Sequence, residues 1–297
     1  MRTSPKELFE AGVHIGHQRK RWNPKTRPYI YDHRGDTSII NLENTCEQID
    51  KAWDFMRNLT ASGQDIWFVG TKKQARDIVK EGAGAVEMPF CANRWLGGTL
   101  TNFQTIERSL LKYKKFLKME EEGELAKLPK KEGASIKRVM NKMHNNFEGM
   151  MKIESLPGAL FVIDIKHEYI AVAEANRVGI PIIAMVDTNS DPTLVEYPIL
   201  ANDDSVKSIR LILGILLEGV QDGLSQRTAK RGDAKKLISK EELVSIEPDV
   251  TIDTSINTET MKEPESEEKP AIKPKRKRSS TKKTVNKEKE GEEAQDE

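Results

Sequence analysis

Asp65-Ile-Trp-Phe-Val-Gly-Thr-Lys-Lys-Gln-Ala-Arg-Asp-Ile-Val79 is the stretch that decides the fold. A short apolar run ends at Gly70-Thr71, and the residues after it have helical spacing, so the segment reads as buried strand, tight turn and helix. Ala159-Leu-Phe-Val-Ile-Asp-Ile165 repeats the pattern, with His167 to Arg177 as its helix. Gly179 stands just past that helix, where a left-handed cap is favoured. Ile180-Pro-Ile-Ile-Ala-Met-Val186 is a further run, closed by Asp187-Thr-Asn-Ser-Asp-Pro192. Pro181 suits the start of a strand, a position that need not donate to the ladder. From Asp204 to about Arg227, Val206, Ile209, Leu213, Leu216 and Leu217 share one helical face. Near-continuous Val/Ile/Leu runs alternating with helices predict a parallel sheet covered on both faces. The expected class is α/β, a doubly wound parallel sheet of the flavodoxin-like or Rossmann-like kind.

Between about 103 and 152 the pattern changes. Thr105 to Glu122 carries Ile106, Leu110, Tyr113 and Leu117 at helical spacing. Gly123 to Gly133, with Pro129, breaks it, and a second stripe follows through Ile136, Val139, Met140, Met143, Phe147 and Met150. Two amphipathic helices around a broken turn predict an antiparallel hairpin that protrudes from the body without extending the sheet. The methionine stripe suits packing between the two helices better than an adaptable binding groove.

The chain has 297 residues, with 48 Lys or Arg against 47 Asp or Glu, a formal charge of +1. That total conceals an uneven layout. Residues 233–297 hold 14 basic and 17 acidic side chains, a net of −3, which leaves +4 on residues 1–232. The first 34 residues carry 8 basic side chains against Glu7, Glu10 and Asp32. The region from Asp233 onward has no aromatic residue and cannot bury enough apolar area to offset its ordering entropy, so residues 233–297 are expected to form a disordered charged tail beside a 1–232 body. Its basic run Lys273-Pro-Lys-Arg-Lys-Arg278 reads as a solvated segment with weak attraction for phosphate. No apolar run approaches the roughly 20 residues of a membrane span. The N-terminus lacks the apolar core of a secretory signal. Cys46 and Cys91 are too few for a disulfide framework or a four-cysteine zinc site. An intracellular, reducing compartment is expected.

Doubly wound sheets often bind nucleotides at the carboxyl ends of their strands. The best turn here, Gly70-Thr-Lys-Lys73, lacks both the three-glycine fingerprint and the phosphate-loop spacing. Lys72, Lys73 and the free N–H groups of the helix start suit a phosphate, one of an RNA backbone as well as one of a nucleotide. His14 and His17, with Asp187, Asp191, Asp203 or Asp204 brought near by folding, are candidate ligands for a divalent metal, but ordinary hydrogen-bonding roles are the commoner use of histidine and nothing in their spacing fixes a geometry. Neither cysteine lies in a nucleophile motif, and the abundant carboxylates single out no acid/base pair. No catalytic residue, cofactor or small-molecule substrate is therefore assigned.

The chemistry that is present lies in Val13-His-Ile-Gly-His-Gln-Arg-Lys-Arg-Trp-Asn-Pro-Lys-Thr-Arg-Pro-Tyr-Ile-Tyr31. Arg19, Lys20, Arg21, Lys25, Arg27 and Arg34 are interleaved with Trp22, Tyr29 and Tyr31, and Gly16, Pro24 and Pro28 rule out a continuous helix. An extended loop fanning out its cations is the expectation. Cations neutralise phosphates and release counterions, while aromatic faces stack on unpaired bases. Asn93-Arg-Trp-Leu-Gly-Gly-Thr-Leu-Thr-Asn102 is a second candidate, joining Arg94 and Trp95 to glycines that allow close backbone approach. A buried structural role for Trp95 is an equal reading.

Ala11-Gly-Val-His-Ile-Gly-His17, Trp22-Asn-Pro-Lys25, Phe68-Val-Gly-Thr-Lys-Lys-Gln-Ala75, Asn93 to Asn102 and Ile182-Ile-Ala-Met-Val-Asp-Thr-Asn189 together resemble the small-subunit ribosomal protein S2 family of bacterial or organellar type. The motifs keep the family's order and spacing over about residues 4–230. The resemblance implies a nonenzymatic protein of the small ribosomal subunit, located on cytoplasmic ribosomes. Its implied partners are small-subunit ribosomal RNA and neighbouring proteins, S1 among them. Arg19 to Arg27 and the Arg94–Trp95 loop are the RNA contacts it favours. A nucleotide-binding α/β enzyme, or an adaptor that uses the hairpin, are the alternatives.

Overall fold

A computed structural model describes residues 2–244. Five parallel strands form the central sheet: β4 (Ile66–Val69), β5 (Phe90–Cys91), β6 (Ala159–Ile163), β7 (Ile182–Val186) and β8 (Tyr197–Leu200). Their order is β5-β4-β6-β7-β8. That is the 2-1-3-4-5 winding of flavodoxin-like folds, in which direction reverses between the first and third strands of the sheet. The predicted doubly wound sheet is what the chain forms.

Residues alternate across this sheet as the pleat requires. Ile66 and Phe68 face one layer, made by α2 (Leu42–Ala61), α3 (Lys73–Ala85) and α8 (Val206–Val244), where Ile49, Met56, Val79, Ile209 and Leu216 are fully buried. Trp67 and Val69 face the other, made by α7 (Tyr169–Val178) and the base of the hairpin. Phe68 and Phe161, both fully buried, meet with ring centroids 5.6 Å apart. Each such side chain contributes roughly 1.5–3 kcal/mol by leaving water. α7 ends where expected: Gly179 adopts φ +78° and its N–H bonds to Ala175 O.

The hairpin is α4 (Phe103–Glu121), a single turn α5 (Glu124–Lys127) and α6 (Lys130–Phe147). It adds no strand to the sheet. Leu110, Tyr113, Met140, Phe147 and Met150 are buried, and Tyr113 Oη lies 2.8 Å from His144 Nδ1 across the two helices. The methionine stripe is thus packing surface at its buried positions.

α8 runs through residues 232 and 233, where the body was expected to end, and continues to Val244. The remainder of the predicted tail, including Lys273–Arg278, lies outside the described residues. A feature the sequence did not disclose precedes the main sheet. After α1 (Pro5–Glu10), strands β1 (Ile15–Gln18), β2 (Ile30–Arg34) and β3 (Thr37–Ile40) form a small antiparallel sheet in the order β1-β3-β2.

Candidate nucleic-acid interface

The basic segment is the connection between β1 and β2, and it is built rather than loose. The expected extended loop is instead two 3-10 turns, Arg19–Arg21 and Pro24–Tyr29. Proline at the first position of the second turn and the Asn23 side chain accepting from Lys25 N explain why the chain winds there. Asn23 N donates to Thr188 O at 2.7 Å, and Thr26 Oγ1, fully buried, bonds Asn23 O and Thr188 O. Gly16 completes the contact, since a Cβ there would stand 2.6 Å from Thr188 Cγ2. The turn after β7 therefore holds the segment at its entry and at its middle.

Arg19, Lys20, Arg21, Arg27 and Arg34 are exposed along this framework. Lys25 is exposed too, but its ammonium sits 2.6 Å from Asp191 Oδ2. Burial works against the Asp191 charge, yet Lys25 and Thr193 hold its pKa below the ordinary value. Trp22 is half-buried, edge-on to His33 with centroids 5.4 Å apart, and Tyr31 stands 74% exposed. The surface thus carries five cations without an ion-pair partner among the described residues, and one largely exposed aromatic ring.

Lys72 departs from its expected role as a phosphate ligand. Its Nζ lies 2.7 Å from Asp203 Oδ1, 2.7 Å from Asp204 Oδ1 and 3.1 Å from Asp164 Oδ2, with the side chain 15% exposed. Burial opposes its charge, but Asp203, Asp204 and Asp164 overcome this and raise its pKa. Asp164 takes φ +65°, a left-handed conformation aspartate tolerates, and its Oδ1 accepts from Lys166 N and His167 N. Thr71 N and Oγ1 both donate to Glu168 Oε1, at 2.8 and 2.6 Å. At the reversal between β4 and β6, where related folds seat a ligand, this chain places its own ammonium and carboxylates. Lys73, next in line, is exposed.

The histidines separate. His14 stacks on Phe9 with centroids 4.3 Å apart, and burial lowers its pKa. His17 Nδ1 lies 2.8 Å from Asp187 Oδ2 and its Nε2 lies 3.4 Å from Asp204 Oδ2. The hydrogen bond to Asp187 outweighs burial and raises the His17 pKa. Ligand atoms of His17, Asp187 and Asp203 lie within 4.8 Å of one another, a nitrogen and oxygen set of the kind that suits a divalent cation. Burial first, then the charges of Asp164 and Asp187, push Asp203 up to about 7. Folding thus unites His17, Asp187, Asp203 and Asp204 from the sequence list, while His14 and Asp191 go elsewhere.

In the second candidate loop, Arg94 is exposed and Trp95 is not. Trp95 is 6% exposed and belongs to the core cluster of Leu110, Tyr113 and Phe147, so its ring is packed inside and not presented to a base. Its Nε1 donates to Glu174, a residue the sequence reading passed over because a lone glutamate in a helix carries no signal.

A family model described as "Ribosomal protein S2" matches residues 8–223. Three curated proteins, each called "Small ribosomal subunit protein uS2", are similar over most of the chain. The one from Opitutus terrae is 52% identical over 78% of this chain and 76% of its own length. That from Coprothermobacter proteolyticus is 42% identical over 80% and 89%. That from Flavobacterium psychrophilum is 46% identical over 82% and 92%. The chain belongs to the ribosomal protein S2 family. The S2 match takes in the small antiparallel sheet, the parallel sheet and the hairpin. It is not a family of enzymes, and among the described residues no helix is long and apolar enough to cross a membrane.

Proposed function

We propose that this protein is a structural constituent of the small ribosomal subunit that grips ribosomal RNA through the β1–β2 connection. Arg19, Lys20, Arg21 and Arg27 of the connection and Arg34 at the end of β2 supply phosphate contacts, Tyr31 of β2 and the half-buried Trp22 supply ring surface, and Lys73 and Arg94 add cations elsewhere. Lys25 contributes through its exposed ammonium in competition with Asp191. The observation that carries this reading is a cluster of exposed cations, Arg19, Lys20, Arg21 and Arg27, on a connection hydrogen-bonded to Thr188, with exposed Arg34 at the end of the adjoining strand. Phosphate contacts fix position and share the load among many residues. In this reading the protein also touches neighbouring small-subunit proteins, S1 among them, and works on cytoplasmic ribosomes.

The test is cosedimentation of the purified protein with small-subunit particles depleted of it, across a salt series. Association at low salt that is lost at moderately high salt is expected. Cosedimentation unchanged across the series would contradict an electrostatic grip.

A further inference from the structure

Loop Asn93–Asn102 is closed around one carboxylate. Glu174, 8% exposed on α7, accepts five hydrogen bonds from it. Oε1 takes Gly98 N at 2.7 Å and Trp95 Nε1 at 3.3 Å. Oε2 takes Leu100 N at 2.9 Å, Thr101 N at 3.2 Å and Thr101 Oγ1 at 3.3 Å. Converging main-chain N–H groups make an anion-binding concavity, and here the anion is the chain's own. The curl depends on Gly98, whose φ is +90° and where a Cβ would stand 3.3 Å from that of Asn102. Burial disfavours the Glu174 charge, yet the amides of Leu100, Gly98 and Thr101 and the Trp95 indole lower its pKa, so the cage is closed on the ionised form.

The other end of the loop is fastened as well. Asn93 Nδ2 donates to Asn145 O of α6 at 2.6 Å. Trp95 is sunk in the core, and Arg94 between these two anchors is exposed. A guanidinium on a fixed backbone loses less freedom on docking than one on a mobile loop. The five bonds to Glu174 leave the loop no need of a partner to become ordered.

We infer that Glu174 is the positioning residue that makes loop Asn93–Asn102 a preformed docking surface for an RNA phosphate, with Arg94 as its cation. The inference rests on the RNA-binding reading above and adds a second site with its own internal support.

A double-mutant cycle on the full chain tests it, using small-subunit particles depleted of the protein as the probe. Arg94→Ala is expected to weaken binding and to reduce the steepness of the salt dependence by about one phosphate. Glu174→Gln presents an amide N–H₂ where the carboxylate accepted from Leu100 and Thr101, so it opens the cage. It should weaken binding by the same factor, and the double variant should be no worse than Glu174→Gln alone. Arg21→Ala should keep its full effect in the Glu174→Gln background. The sign is diagnostic, because removing a negative charge near a polyanion would by electrostatics alone strengthen binding. Where Glu174→Gln does not fold, Gly98→Ala distorts the same loop from the opposite side and should abolish the Arg94→Ala effect. Tighter or unchanged binding by Glu174→Gln, or an Arg94→Ala effect that persists in it, overturns the positioning role. Arg94→Ala without effect while Arg21→Ala weakens binding overturns this site and leaves the main reading standing. No effect from Arg94→Ala together with none from joint replacement of Arg19, Lys20 and Arg21 by alanine removes both.

Discussion

Lys72→Met separates an internal role for this lysine from an RNA-facing one. The substitution keeps the apolar stem and deletes an ammonium that lies within 3.1 Å of three carboxylates. Asp203 is fully buried and Asp164 is 8% exposed, so neither carboxyl group can be rehydrated without opening the structure, although Asp203, already pushed up to about 7, tempers the loss by taking up a proton. Removing one partner of a buried ion cluster costs about 3–5 kcal/mol. For a body of this size each kcal/mol shifts the melting temperature by about 2–4 °C, so a fall of roughly 6–20 °C is expected by calorimetry. Lys73→Ala, one residue on and exposed, is the control and should change stability by less than about 0.5 kcal/mol. Binding of folded Lys72→Met to depleted small subunits should keep the wild-type salt dependence. A melting temperature within about 2 °C of wild type, or a salt slope shallower by about 1, would refute the argument that this charge is consumed internally.

With about 5 phosphates neutralised by the β1–β2 connection and Arg34 together, log affinity should fall against log salt with a slope of about −3.5 to −4.5, and joint replacement of Arg19, Lys20 and Arg21 by alanine should remove somewhat more than half of it; equilibrium binding at four or five salt concentrations measures this. Arg21→Ala alone should cost about 1 kcal/mol or less, because the load is shared. Gly223→Ala should destabilise the body by more than about 1 kcal/mol, since the added Cβ overlaps Thr60 Oγ1 and lies 2.5 Å from Arg57 O where α8 crosses α2; denaturant unfolding gives the value. Glu174 has a pKa below its unfolded value near about 4.3, so its contribution is complete above that value and is lost as pH falls through the lower folded one. Wild type minus Glu174→Gln stability, followed by denaturant unfolding from pH 7 downward, should stay constant to about pH 5 and then fall as the pH drops further.

The parallel sheet was legible because β4, β6 and β7 are buried on both faces and read as unbroken apolar runs. β5, with two residues, and β8, which opens with Tyr197-Pro198, are too short or too mixed to signal a strand by themselves. The β1-β3-β2 sheet escaped notice because it is antiparallel and half-solvated, and the eye is drawn to its charges. Its cations were visible in the sequence; their scaffold was not, since it depends on Thr188, far along the chain. Lys72 misled for the same reason. Next to Gly70-Thr71 it has the local look of a phosphate ligand, but Asp164, Asp203 and Asp204 reach it only through the fold. Trp95 and Glu174 form a pair 79 positions apart, so neither the burial of one nor the purpose of the other could be read locally.

The most direct test of the account is electron cryo-microscopy of small subunits carrying this protein. Ribosomal RNA phosphates within about 4 Å of several of Arg19, Lys20, Arg21, Arg27 and Arg34 are expected. A β1–β2 connection that faces solvent, with the body held on the particle by other surfaces, would contradict it.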